Sequence, residues 1–318
     1  MNYTDSNGNI LPLITNIDPG KEGTGDFKIQ AYNFRLCLTT NISNQIPITK
    51  PSTYDPKYWE LFRRYITAKW PSGTGISPSD FMNLSPIPNK KTDVNNNGPI
   101  STDCIGCSWD WPISTPAKRS FLWSNHSEYT RGFLFFLAND DTIPSSLRSQ
   151  MQMWGLAADE FIEFNNWPEQ LYVREGYRMV SDFVFTEHDR EVNKTKFDSI
   201  GLFSYNIDTH NSQRFPQGEY VRNEGDVEID GSLGPGQLPF RMLLPKRTEA
   251  NNVLAVVPCS ASHLGYGTIR LEPQFLILGE SSGVAASQFV TSNLKQIQDL
   301  NVTTLQERLR QLGQFIDL

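Results

Sequence analysis

Apolar residues recur along this chain with two periods, near two and near 3.6 residues, and the switches between them outline its elements. Residues 27–39 alternate, first through Phe27, Ile29 and Ala31, then through Phe34, Leu36 and Leu38. That predicts a strand whose phase slips near Asn33, as a bulge would cause. Helical spacing begins at Asp55-Pro56, a capping residue followed by proline, and places Tyr58, Leu61, Phe62, Tyr65 and Ile66 together. Thr115-Pro116 opens a second helix with Leu122, His126, Tyr129, Phe133 and Phe136 on one face. Leu147, Met151 and Trp154 mark a third, which Gly155 is expected to end. Residues 73–111 are rich in Pro, Asn and Gly and predict a long excursion without regular structure. Farther on, Arg174 and Arg178 have the spacing of helix neighbours. Residues 198–211 read as a strand ending in a polar cluster, and residues 221–225 and 239–246 as further strands. Residues 294–318 close the chain with a surface helix carrying Leu305, Leu309 and Leu312.

The rest of the chain leads to residues 252–287. The run from Val253 to Val257 is long enough for a buried strand and far short of a membrane span. A polar loop with His263, Gly265, Tyr266, Gly267 and Thr268 follows, then a helix signal with Pro273 in its first turn. Gly279, Gly283 and Ser287 recur four apart and line one helix face without bulk. Strand, glycine loop and helix start together suit an anion or a flat polar ligand, because free amides point at whatever sits there. A tightly packed helix in an α/β core explains the same pattern.

Composition narrows the classes. At 318 residues, 38% hydrophobic and 12% aromatic, the chain is globular and has room for two domains. A net charge of −7 argues against nucleic acid or an anionic membrane as partner. The four cysteines make no disulfide framework in a chain this size. Cys104 and Cys107 form a CxxC with no second pair to complete a zinc site, so no metal is expected. Neither an export signal nor a spanning segment is read here, which leaves localisation unassigned.

Chemistry concentrates in residues 204–211, where a phenol, a carboxylate and an imidazole stand within six positions: Tyr205, Asp208 and His210. Asp208 and His210 share a face if extended, so the carboxylate can orient the ring for proton transfer or for gripping a hydroxyl. An ordinary polar strand end is the alternative. His263 reads equally as a second candidate or as a loop histidine. His126 is expected in the core and His188 in solvent. Arg222 and Glu224 are expected in structural ion pairs.

Residues Ser260-Ala261-Ser262-His263, Gly267, Arg270, Glu272-Pro273 and Gly279 to Ala286 resemble the C-terminal segment of the FAD-dependent oxidoreductases of the glutathione-reductase-like class. The likeness is closest to the family labelled "FAD dependent oxidoreductase" or "xanthan lyase-like". It implies an α/β fold: an α+β substrate domain over residues 1–245, with a helical insertion at about 52–190, and the Rossmann-like C-terminal part of an FAD-binding domain over residues 246–318. It also implies FAD as cofactor, held by Ser262, His263, Gly267, Thr268, Ile269, Arg270, Gly279 and Gly283, with the Gly267–Arg270 amides facing the flavin. His210, His263, Asp208 and Tyr205 become the catalytic candidates, and a polyhydroxylated or carbohydrate-like molecule the substrate. A dinucleotide fold needs a G-x-G-x-x-G turn, and the glycines here do not supply one. The expectation is therefore a missing N-terminal FAD-binding segment, encoded ahead of this chain or by a partner. Two other readings stand beside it: a carbohydrate-binding module stacking sugars on Trp109, Trp111, Trp123 and Trp167, and a polysaccharide lyase.

Overall fold

The computed structural model of the chain describes residues 2–191, 194–229 and 234–318, and the elements below are numbered along the chain. Helices and strands are mixed throughout, giving the α/β class, and they group into two units that interleave in sequence. One comprises Met1–Arg174 with Asn211–Gly225, the other Glu175–His210 with Asp226–Leu318.

The first unit is built on an antiparallel sheet of β1 (Leu36–Thr39), β2 (Gln45–Pro47), β3 (Met82–Ile87), β4 (Lys91–Asn96) and β5 (Gly155–Ala157). Their spatial order is β2-β5-β1-β4-β3. Every residue of β1 is buried, as the expected alternation does not allow, because this central strand is covered on both faces. Only its four residues of the predicted 27–39 strand pair regularly, although Asn33 makes an isolated bridge with Tyr172. The excursion expected over residues 73–111 contains the β3–β4 hairpin. Asn89 and Lys90 both adopt positive φ at its turn (65° and 60°), which suits the right-handed twist of the flanking strands.

Helix α2 (Pro116–Asn139) starts at the predicted place, Asp55-Pro56 opens a 3-10 turn over Pro56–Trp59 that leads into α1 (Glu60–Lys69), and α3 (Ser145–Met151) ends before Trp154. Asp55 accepts from the amide of Lys57, and Thr115 accepts from that of Lys118. All five residues expected on one face of α2 are buried. Three of them meet Trp59, whose ring centroid lies within 6.0 Å of those of Tyr129, Phe133 and Phe136, and of Phe62 on α1. Aromatic pairs of this kind add about 0.5–1.5 kcal/mol each beyond area burial. Gly155 does not cap α3. It starts β5, where an added Cβ would lie 2.5 Å from the carbonyl oxygen of Ile46. The hairpin of β8 (Gln213–Gln217) and β9 (Tyr220–Glu224) completes this unit. The Gln213 amide group donates to Thr15 Oγ1 (2.7 Å) and to the Ile17 carbonyl (2.6 Å). Arg174 is not a helix neighbour of Arg178. Its guanidinium is buried here against Asp103 at 2.9 Å.

In the second unit β6 (Ser199–Phe203) pairs with β11 (Gly236–Pro239), and β7 (Ile207–Asp208) with β10 (Glu228–Ile229), all antiparallel. Its helices are α4 (Glu187–Glu191), α5 (His263–Ile269), α6 (Glu272–Thr291) and α7 (Val302–Gln311). Helix α6 packs on β6 through Ile277, whose Cγ2 would lie 2.2 Å from a Cβ at Gly201, and the Ser281 hydroxyl donates to the Ile200 carbonyl. Leu305 and Leu309 anchor α7, while Leu312 is exposed just beyond it.

Two local expectations change here. Residues 253–257 form no strand, and Val253 and Val257 are exposed. The extended step comes later, where Ala261 bridges Phe185 in parallel and the Phe185 amide donates to the Ser260 carbonyl at 3.0 Å. What was expected as a glycine loop is α5, capped by Ser262, whose hydroxyl accepts from the amide of Gly265 at 3.0 Å. Residues 240–243 are a 3-10 turn where a strand was expected, because the backbone turns after Pro239.

Candidate functional site

Helix α5 carries a polar cluster at each end. Its first residue is His263 and its C-cap is Arg270. At a rise of about 1.5 Å per residue the two ends lie roughly 10 Å apart.

The cluster at the Arg270 end gathers most of the residues singled out in the sequence. One oxygen of Asp208 lies 3.2 Å from Arg270 Nη2 and 3.4 Å from His210 Nε2. Its other oxygen accepts from the Tyr205 hydroxyl at 3.3 Å. Arg270 also donates from Nε and Nη2 to the Asp208 backbone carbonyl, both at 3.1 Å. Asp208 and His210 meet although β7 stops at Asp208, so the contact does not depend on a continuing strand. His210 and Arg270 are buried, whereas Tyr205 stands exposed beside Asp208.

Gly267 sits at this end because α5 lies directly on β7. A Cβ there would be 3.0 Å from the Asp208 carbonyl oxygen and 2.9 Å from the Thr209 methyl. The Thr268 hydroxyl donates to the carbonyl of Asn206 at 3.1 Å. Gly267, Thr268, Ile269 and Arg270 are all buried in the last turn of α5. The Arg270 amide is used inside the helix, donating to the Tyr266 carbonyl. This segment therefore does not begin a helix, and the free amides expected along it belong to the helix ladder instead.

At the other end, His263 Nδ1 lies 3.1 Å from Glu175 Oε2. The same carboxylate oxygen accepts from Arg178 Nη1 at 2.8 Å. Arg178 is fixed in turn by donating from Nε to the Ala261 carbonyl at 2.9 Å and by lying over the Tyr266 ring. Burial pushes the Tyr266 phenol up, so that it stays neutral and donates to the Val257 carbonyl. His263 Nε2 is shielded from solvent and has no hydrogen-bond partner among the described residues. A buried polar atom left this way costs about 1–3 kcal/mol. Gly265, two residues on, is locked: a Cβ would stand 2.4 Å from the Phe185 carbonyl oxygen.

Gly279 and Gly283 occupy the exposed face of α6, and among the described residues nothing outside the helix's own neighbouring backbone lies within 4 Å of where either Cβ would be. The glycine face expected from the sequence is thus open. A cavity of about 290 Å³ beside Gly283 is bordered by Ser282, Ala286 and Phe289.

Other candidates serve structure. Burial lowers His126 to about 4, and its ring bridges the Leu122 carbonyl and the Ser108 hydroxyl. His188 is exposed. Arg222 pairs with Glu22 and Glu224 faces Lys28. Trp167 is 2% exposed and cannot serve as a sugar platform. The indole N–H groups of Trp109 and Trp123 are taken by the Ser212 and Glu169 carbonyls. Glu175 carried no signal of its own in the sequence, because it stands in an irregular segment far from His263. Among the described residues no helix is long and apolar enough to cross a membrane.

A family model described as "FAD dependent oxidoreductase" matches residues 5–309. No curated protein and no solved structure matches the chain.

Proposed function

This chain belongs to the FAD dependent oxidoreductase family, and on that premise we propose that it oxidises a polyhydroxylated, carbohydrate-like small molecule with His263 as the base. The observation that carries the reading is the division of labour on one imidazole. Nδ1 is held against Glu175, while Nε2 is buried and unpartnered. A ring fixed through one nitrogen presents the other in a defined direction, as proton transfer requires.

FAD, when bound, accepts the two electrons. The described residues fit such a group beside α5 and α6: the orphaned Nε2 needs a partner, and the Gly279–Gly283 face has room for a flat surface. Ser262 and His263 would border the cofactor there. Gly267, Thr268, Ile269 and Arg270 would support it from behind by seating α5 on β7. Residues 246–318 would then be the C-terminal part of an FAD-binding domain. On the substrate side, Tyr205 and Asp208 supply a phenol and a carboxylate suited to gripping hydroxyl groups, with His210 and Arg270 steadying the carboxylate. His263 Nε2 takes the hydroxyl proton, and Glu175 stabilises the charge that results.

Anaerobic mixing of the purified protein with a panel of sugars and polyols tests this, read as bleaching of flavin absorbance. We expect bleaching by at least one of them, and His263→Gln to slow it by roughly 100-fold or more at unchanged flavin content. A colourless full-length protein that FAD does not stabilise would sink the reading.

A further inference from the structure

The CxxC motif has no part in the chemistry above. Cys104 and Cys107 are joined as a disulfide, in which Cys104 is 1% exposed and Cys107 is half-buried. Both line a cavity of about 350 Å³ within the first unit. Tyr58, Trp59 and Tyr129 give it aromatic walls, Asp55 and Glu128 give it carboxylates, and no Lys or Arg is among the described residues that line it. The Glu128 carboxylate is held by the Thr53 hydroxyl and that of Asp55 by the Lys57 amide. Aromatic faces and fixed carboxylates both attract an ammonium group, and both repel an anion.

We propose that Cys104–Cys107 is a thiol–disulfide exchange site whose cavity selects a small cationic aminothiol. Cys107 is the more exposed residue of the pair, so its sulfur is the one attacked. The thiolate of the aminothiol attacks it, forming a mixed disulfide, and the Cys104–Cys107 bond breaks with its electron pair going to Cys104, which takes up a proton. A second aminothiol attacks the sulfur of the first, releases the external disulfide and leaves Cys107 as a thiol. Two aminothiols are oxidised and one protein disulfide is reduced. The reverse sequence, started by the external disulfide, re-forms the pair.

The full chain, equilibrated in cysteamine–cystamine mixtures without denaturant and quenched with N-ethylmaleimide, tests this by peptide mass. The pair should titrate between disulfide and dithiol as a two-electron couple. Cys37 and Cys259, both buried, should remain unlabelled in a native-state pulse and so report that the fold is intact. In initial rates on the oxidised protein, cysteamine should exceed mercaptoacetate by roughly tenfold, after each is scaled to its rate on a small linear disulfide. Glu128→Gln should narrow that gap, and Cys104→Ser should collect the mixed disulfide on Cys107. Exchange seen only when Cys37 and Cys259 are labelled too would overturn the proposal, as would equal scaled rates for the two thiols. Those two measurements use the unmodified chain and decide the matter even if a variant fails to fold.

Discussion

Glu175 places a carboxylate oxygen 3.1 Å from His263 Nδ1, and its side chain is only 2% exposed while that of the histidine is 33% exposed. A buried acid thus sets the orientation of a more accessible base, and Arg178 on the same oxygen keeps the acid in place.

Replacing Glu175 separates its structural and chemical roles. Glu175→Gln keeps the volume and should cost about 1 kcal/mol in urea unfolding. It should also slow substrate-driven bleaching of the flavin by roughly tenfold or more at unchanged flavin content. Glu175→Ala strands Arg178 and should cost about 3 kcal/mol. Equal bleaching rates in Glu175→Gln and the unmodified protein would show that the carboxylate serves folding alone.

His126 makes stability depend on acidity. Burial holds it at about 4 against an ordinary 6.5, so between those values the unfolded chain binds a proton that the folded chain does not. Stability is therefore full above pH 6.5 and falls as the pH drops toward 4, by about 3 kcal/mol over that window. Urea midpoints at pH 7 and pH 4.5 measure the fall, and His126→Gln should flatten it.

The glycines of α5 and α6 should respond in opposite senses. Gly265→Ala drives a methyl against the Phe185 carbonyl, a backbone group that cannot step aside, and should cost more than about 2 kcal/mol. Gly279→Ala meets nothing and should raise the melting temperature through a gain of about 0.5–1 kcal/mol. If the open face receives FAD, the same substitution should weaken flavin retention on a desalting column.

Arg270 ties α5 to Asp208 through both side chain and backbone. Asp208→Asn removes the charge but leaves the backbone carbonyl as acceptor, so a loss of about 1–2 kcal/mol is expected. Arg270→Lys cannot span both acceptors and should cost more. Thermal melts of the two variants give the order, and a milder effect for the lysine variant would contradict it.

The helix start at Thr115-Pro116 and the 3-10 turn opened by Asp55-Pro56 were readable because each depends on a few adjacent residues. The meeting of Tyr205, Asp208 and His210 was readable for the same reason. The β3–β4 hairpin was not: its turn, Asn89-Lys90, lacks the glycine that usually announces two positive φ values, and its strands MNLSPI and KTDVNN are polar on one face. The start of α5 was hidden because two glycines and a tyrosine follow His263. Only contact with Phe185 and β7 makes those glycines necessary. Partners distant in sequence, such as Glu175 for His263 or Asp103 for Arg174, leave no local trace at all.

The first unit is closed by residues that the ribosome delivers late. Gln213 reaches back 198 positions to Thr15, and β8–β9 emerges only after the opening strand and helix of the other unit have been made. A nascent chain halted before residue 211 would carry the five-stranded sheet without this clasp, and the second unit would still lack every helix from α5 onward. The first unit can close only once residue 225 has emerged, and the second waits for α5 to α7, so pieces cut at any single position between 175 and 225 should fail as separate domains.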